Sequence, residues 1–178
     1  MKKLIQAIFL FLLIAGFLCF LAPAALIGSH DILPASFEWP IGYADNVITT
    51  HSGQHIVPHT PSGRIQIYDS DWKFIRGWNV GASGGDFRVM PFNESTQQIE
   101  VITARGNWKY HFDMNGNELS KEAYSPTAYS SFPKTGTSLW VATPFWLMPL
   151  SHPFIAWGVG ALGMLGLHLS KKKKLKQP

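Results

Sequence analysis

PFIAWGVGALGMLGLHLSKKKK, residues 153–174, is an apolar stretch that runs directly into four consecutive lysines. It decides how the chain is read. An uncharged run of about 18 residues reads as a helix long enough to cross a bilayer, and the lysines mark its cytoplasmic end. A second apolar run, residues 4–27, lies near the other terminus behind Lys2 and Lys3, and fifteen of its residues are Leu, Ile or Phe. All eleven acidic side chains fall between these runs, from Asp31 to Glu122. The pattern predicts a two-pass membrane protein with both ends in the cytoplasm and one soluble domain outside. The expected organisation is a first transmembrane helix over 1–28, an extracytoplasmic β-domain over 29–138, an aromatic and proline-rich interfacial segment over 139–152, a second transmembrane helix over 153–170 and a basic tail over 171–178.

Charge follows the same division. The middle carries eight basic against eleven acidic residues, a net of −3, and the flanks add seven lysines to give the +4 of the whole chain. The alkaline isoelectric point therefore reports topology rather than nucleic-acid binding. A lysine tail beside a span is suited to anionic lipid heads. The layout fits an integral protein of a bacterial cytoplasmic membrane, with lipid and an unidentified membrane or extracytoplasmic protein as its partners. Cys19, the single cysteine, lies in the first run, so neither an internal disulfide nor a cysteine-based metal site is available.

Ala22-Pro23-Ala24 has the small-residue character of a cleavage site, but the apolar core before it is longer than a signal peptide needs. The first segment is expected to stay as an anchor, so that the mature chain begins near Met1, with a kink or an end at Pro23. In the second segment Ser151 or His152 is placed to cap a helix with Pro153 in its first turn. Trp140, Phe145 and Trp146 are expected at headgroup level. The string Gly158–Gly163 matches GxGxxG, yet it lacks the preceding strand that a dinucleotide site requires. At helical spacing, Ala156, Gly160 and Gly163 form a small-residue face suited to close helix packing. Ala15, Cys19 and Ala22 form a matching stripe on the first helix.

Between the helices the apolar pattern has period two. Ile65 and Ile67 alternate with Arg64 and Gln66, and Trp108, Tyr110 and Phe112 with Lys109 and His111. This predicts half-buried antiparallel strands. Gly, Asn and Asp clusters supply the turns. The fold class expected is an all-β domain of antiparallel meanders, either blade-like or a small sandwich. Tyr68-Asp69-Ser70-Asp71 and Phe112-Asp113-Met114-Asn115 form a loose internal repeat 44 residues apart. The repeat resembles blades of β-propellers, of the NHL-like kind. Two blades do not close a propeller, so the resemblance implies two small meanders packed face to face, or assembly with other chains.

Few residues suggest chemistry. His51, His55 and His59 recur every fourth position and are candidates for a zinc or copper site. Gly81-Ala82-Ser83-Gly84-Gly85 is similar to the nucleophile loop of trypsin-like proteases, but Ala82 stands where those enzymes carry Asp. The Asp69 and Asp113 turns lack the Gly and Glu positions of an EF-hand loop. No catalytic residue or cofactor is expected. Trp72 sits at a turn where glycine is favoured, and with Lys73 and Arg76 it is a candidate contact point for a partner. The function expected is a non-catalytic binding or assembly module at the outer membrane face. The alternatives are an accessory subunit docking through the glycine-rich helix, or a histidine-based metal protein or enzyme.

Overall fold

The computed structural model describes residues 2–26, 33–83 and 85–172. Parts of the expected first segment (27–28), the protease-like loop (Gly84) and the tail beyond Lys172 lie outside the described residues. Helix α1 spans Lys2–Leu26, α2 spans Met148–Ser151 and α3 spans Pro153–Lys172. Both α1 and α3 are long and apolar enough to cross a membrane by length and composition. Instead of stopping at Pro23, α1 continues to Leu26. His152 opens α3: its Nδ1 accepts from the Phe154 amide at 3.3 Å, ahead of Pro153 in the first turn.

The two long helices pack as an antiparallel hairpin. A β-carbon built on Gly16 would lie 2.3 Å from the Gly160 nitrogen, and one on Gly163 would lie 2.4 Å from the Leu13 nitrogen. Only glycine permits that backbone approach. Gln6 donates to Ser170 at 3.5 Å, so the lysine-bearing ends of α1 and α3 lie on the same side. The α3 face is the expected one, and Ala156 on it is fully buried. Its partner is not. The nearest α1 atoms belong to Phe9, Leu13 and Gly16, while Ala15, Cys19 and Ala22 are only half-buried. The reason is steric: Gly16 lets the backbones meet, and any side chain there would hold them apart.

The described residues also form nine strands: β1 Tyr43–Thr49, β2 His55–His59, β3 Arg64–Tyr68, β4 Phe74–Asn79, β5 Phe87–Val89, β6 Gln98–Thr103, β7 Trp108–Asp113, β8 Glu118–Ala123 and β9 Thr137–Trp140. They form two antiparallel sheets, ordered β4-β3-β2-β1-β9 and β5-β6-β7-β8. Neither closes into a barrel, and together they are not a propeller. Strand β9 pairs Leu139 with Ala44 and Trp140 with Tyr43, so the β-domain runs past the expected boundary at 138. The apolar run Leu139–Val141 is continuous in sequence with the second span, which disguised it as interface.

The hairpins β3–β4 and β7–β8 are built on the same turn. Asp69 Oδ1 accepts from the Asp71 and Lys73 amides at 2.9 Å, and Asp113 Oδ1 accepts from the Asn115 and Asn117 amides at 2.8 and 2.9 Å. Each carboxylate replaces the backbone partner that the tight turn removes. Trp72 (φ 62°) and Gly116 (φ 85°) hold the same left-handed position. Each hairpin also carries a register shift just before its turn.

The main core lies between the sheets. Ile56, Ile65, Ile67 and Trp78 of the first meet Val89, Ile99, Val101, Tyr110 and Phe112 of the second. Tyr68 and Phe112, equivalent by the repeat, face differently: Phe112 enters this core, and Tyr68 enters a smaller cluster with Ile41, Ala44, Val47 and Val57. The sheets therefore meet through unlike faces, the front of one against the back of the other. Asn46, at φ 63°, links them by donating to the Val89 carbonyl at 2.7 Å and accepting from the Gly136 amide.

The outer face of the first sheet departs from the alternation rule. Arg64 and Gln66 read as solvent-facing, yet both are fully buried. Residues 33–39 cover them. The Arg64 guanidinium donates to the carbonyls of Pro34, Phe37 and Gly77 and to Asn79 Oδ1, all within 3.0 Å. Gln66 exchanges bonds with both backbone atoms of Trp39. These bonds offset the cost of burying the two side chains, although the buried Arg64 Nε has no hydrogen-bond partner among the described residues. Burial pulls the Arg64 pKa from 12.5 to about 10, which leaves it charged at neutral pH.

Candidate functional site

Strand direction sets which residues lie near the helices. Strand β2 ends at His59, and the 3-10 turn Thr60–Ser62 that follows packs against α1. The turns at the other end of the first sheet, 50–54 and 69–73, therefore point away from the hairpin. They touch each other, since a β-carbon on Gly53 would lie 3.2 Å from the Ser70 β-carbon.

The three histidines take three separate roles. His51, at the far turn, receives Glu94: the carboxylate accepts from the His51 amide at 2.7 Å and lies 3.1 Å from Nδ1. His55 meets Thr49 Oγ1 at 3.0 Å through Nδ1 and stacks on Trp72. His59 is buried at the near end. Its Nε2 lies 2.8 Å from the Ser151 carbonyl and its Nδ1 2.7 Å from Ser62 Oγ. A carbonyl only accepts, so Nε2 carries the proton and the Ser62 hydroxyl donates to Nδ1. Burial holds the His59 pKa at about 4, well below 6.5. His55 and His59, i and i+4 on β2, share a face of the strand but stand about 13 Å apart. No group of three potential ligands gathers among the described residues.

Of Trp72, Lys73 and Arg76, the structure brings Trp72 together with His55, while Arg76 lies on the opposite face of the sheet, paired with Ile67 of the main core. Trp72 stacks on the His55 ring at 3.9 Å and 9°, with Tyr68 at 5.8 Å, and stays 38% exposed. Lys73 beside it is exposed. Arg76 donates to Asn115 Oδ1 at 2.6 Å and so ties this hairpin to the tip of β7–β8. The arrangement is a flat aromatic platform with one exposed cation, Lys73, next to it in the chain.

One feature of this end has no signal in the sequence. A cleft of about 400 Å³ opens beside His51 and Glu94, lined by Val47, Thr49, Phe92 and Thr137 among others. Its walls come from β1, the β5–β6 connection and β9, segments far apart in the chain. The chain matches no protein-family model, and no curated protein is significantly similar to it.

Proposed function

We propose that the protein is a non-catalytic binding or assembly module, anchored in a bacterial cytoplasmic membrane by the α1–α3 hairpin, with both termini cytoplasmic and the β-domain outside. One observation carries this reading. The aromatic platform of Trp72 and His55, with the exposed Lys73 next to Trp72 in the chain, stands at the end of the first sheet opposite the hairpin. An exposed tryptophan beside a cationic side chain is the composition of an interface anchor. The equivalent turns of β3–β4 and β7–β8, and the front-to-back meeting of the sheets, support reading the domain as two propeller-blade-like units.

The test places a photo-crosslinking side chain at position 72 in the full-length protein in its native membrane, with a second at Leu119, exposed on β8, as control. A discrete adduct from 72, absent from 119 and lost in the Lys73→Ala variant, is expected. Equal labelling at both positions overturns the reading. Reporter fusions at Ser131 should be active only outside the cytoplasm, and fusions after Pro178 only inside.

A second reading has its own observation. Between α1 and α3 runs an almost wholly apolar groove of about 290 Å³, lined by Phe17, Phe20, Trp157, Ala161 and Met164 beside the glycine contact. A helix of a larger membrane complex would fit such a groove, making the protein an accessory subunit.

A further inference from the structure

We infer that the β-domain does not swing on its anchor but lies with its β1–β9 edge on the outer leaflet, where an aromatic ledge enters the phospholipid headgroups. The inference rests on the hairpin spanning the membrane and adds the orientation of the domain to it.

The ledge consists of Tyr43, Trp140, Phe145 and Trp146, each more than half exposed. Tyr43 and Trp140 are a cross-strand pair of β1 and β9, so they belong to the folded domain and not to the linker. Phe145 and Trp146 stand edge to face at 5.4 Å in the linker that follows. The linker cannot move independently of β1, because Val141 donates to the Gly42 carbonyl at 2.7 Å and Gly42 donates to Thr143 Oγ1 at 3.1 Å. A β-carbon on Gly42 would lie 2.8 Å from Ser151 Oγ and 3.8 Å from the Trp140 ring. Trp140 is thereby level with the start of α3.

Composition identifies the occupant. From Thr135 to Ser170 the chain has no Asp, Glu, Lys or Arg, and the two charged groups that border the ledge, Asp45 and Lys134, pair with each other at 2.7 Å. Exposed Trp and Tyr continuous with a span match the aromatic belt at a membrane–water boundary, where an apolar ring and a polar edge are both accommodated. His59 adds a second fixed point on the neighbouring strand through its bond to Ser151.

The test uses the full chain with Cys19→Ser, spin-labelled at single cysteines and reconstituted in phosphatidylcholine–phosphatidylglycerol vesicles. Labels go at Tyr43, Trp146, Leu119 on β8 and Leu162 on α3. Collisions with oxygen, which partitions into lipid, are compared with those of a water-soluble nickel chelate. The oxygen-to-nickel ratio should be highest at 162, intermediate at 43 and 146, and several-fold lower at 119. If 43 and 146 resemble 119 while 162 remains in lipid, the hairpin spans but the ledge is off the membrane, and the inference fails. If 43 and 146 are immobile and shielded from both reagents, a protein covers the ledge, and the inference also fails. An aqueous signal at 162 removes the spanning hairpin itself.

Discussion

Acidification should loosen the joint between the β-domain and the helices through His59. In the folded protein its ring is neutral, with Nε2–H on the Ser151 carbonyl and Nδ1 accepting from Ser62. Burial is the main obstacle to a charge there; the Ser151 carbonyl favours one without offsetting the burial, and His152 opposes protonation across the joint. The fully buried Arg64 lies opposite on β3. The unfolded chain protonates near pH 6.5 and the folded one near 4. Because the folded pKa is depressed, the unfolded state binds more protons between those values. The stabilisation is therefore complete above pH 6.5, falls through the window and is exhausted below 4. A drop from 6.5 to about 4 corresponds to about 3 kcal/mol. For a chain of this size that is roughly 6–12 °C in Tm. Thermal unfolding of the full-length protein in mild detergent should show this slope. His59→Gln, which keeps a donor for Ser151 and removes the titration, should lower Tm at pH 7 and flatten the curve between pH 6.5 and 4.5. Parallel curves for the two proteins would refute the assignment of the slope to His59.

Three further outcomes are expected. Gly163→Ala should destabilise the protein in detergent by about 1–3 kcal/mol through overpacking, read as a lower Tm, whereas Gly158→Ala should leave Tm unchanged, because a β-carbon at 158 meets nothing within 4 Å. Trp72→Gly should be close to neutral in denaturant unfolding, relief of a left-handed backbone costing about 1 kcal/mol offsetting a stacking interaction of similar size. Trp72→Ala keeps the strain and should be the less stable of the two. Arg64→Met should cost more than about 2 kcal/mol, since several buried carbonyls lose their donor, and limited proteolysis should then cut first within residues 33–39.

The strands that show period two in sequence, β3, β6 and β7, are legible because alternation reports burial of one face directly. The failures share one cause: contacts made by segments distant in the chain. Arg64 and Gln66 obey the polar half of the alternation and are buried nonetheless, because residues 33–39 fold over them with their carbonyls inward. His59 looks like a repeat member of a ligand set, and nothing local announces Ser151, 92 positions away. The glycine face of α3 is readable from helical spacing alone. Its partner is not, since a stripe of small residues on α1 looks equally good in any of several rotations, and Gly16 decides between them by its missing side chain. Trp72 is visible as an anomaly at a glycine position, although the His55 ring beneath it is not.

The unlike faces of the two sheets have a consequence for growth. A unit whose front fits the back of the next is open-ended, like a row of stacked chairs, and only its terminal surfaces decide where the row stops. Here both ends are closed by different means. At the front the buried Arg64 clasps a strap of backbone across the first sheet. At the back Lys109, set between Glu122 at 2.9 Å and Glu100 at 3.7 Å, turns the last sheet into a charged wall that repels another apolar face. Two layers is thus a length imposed at the margins, and a chain that lost either closure would carry a surface ready to recruit a neighbour of its own kind.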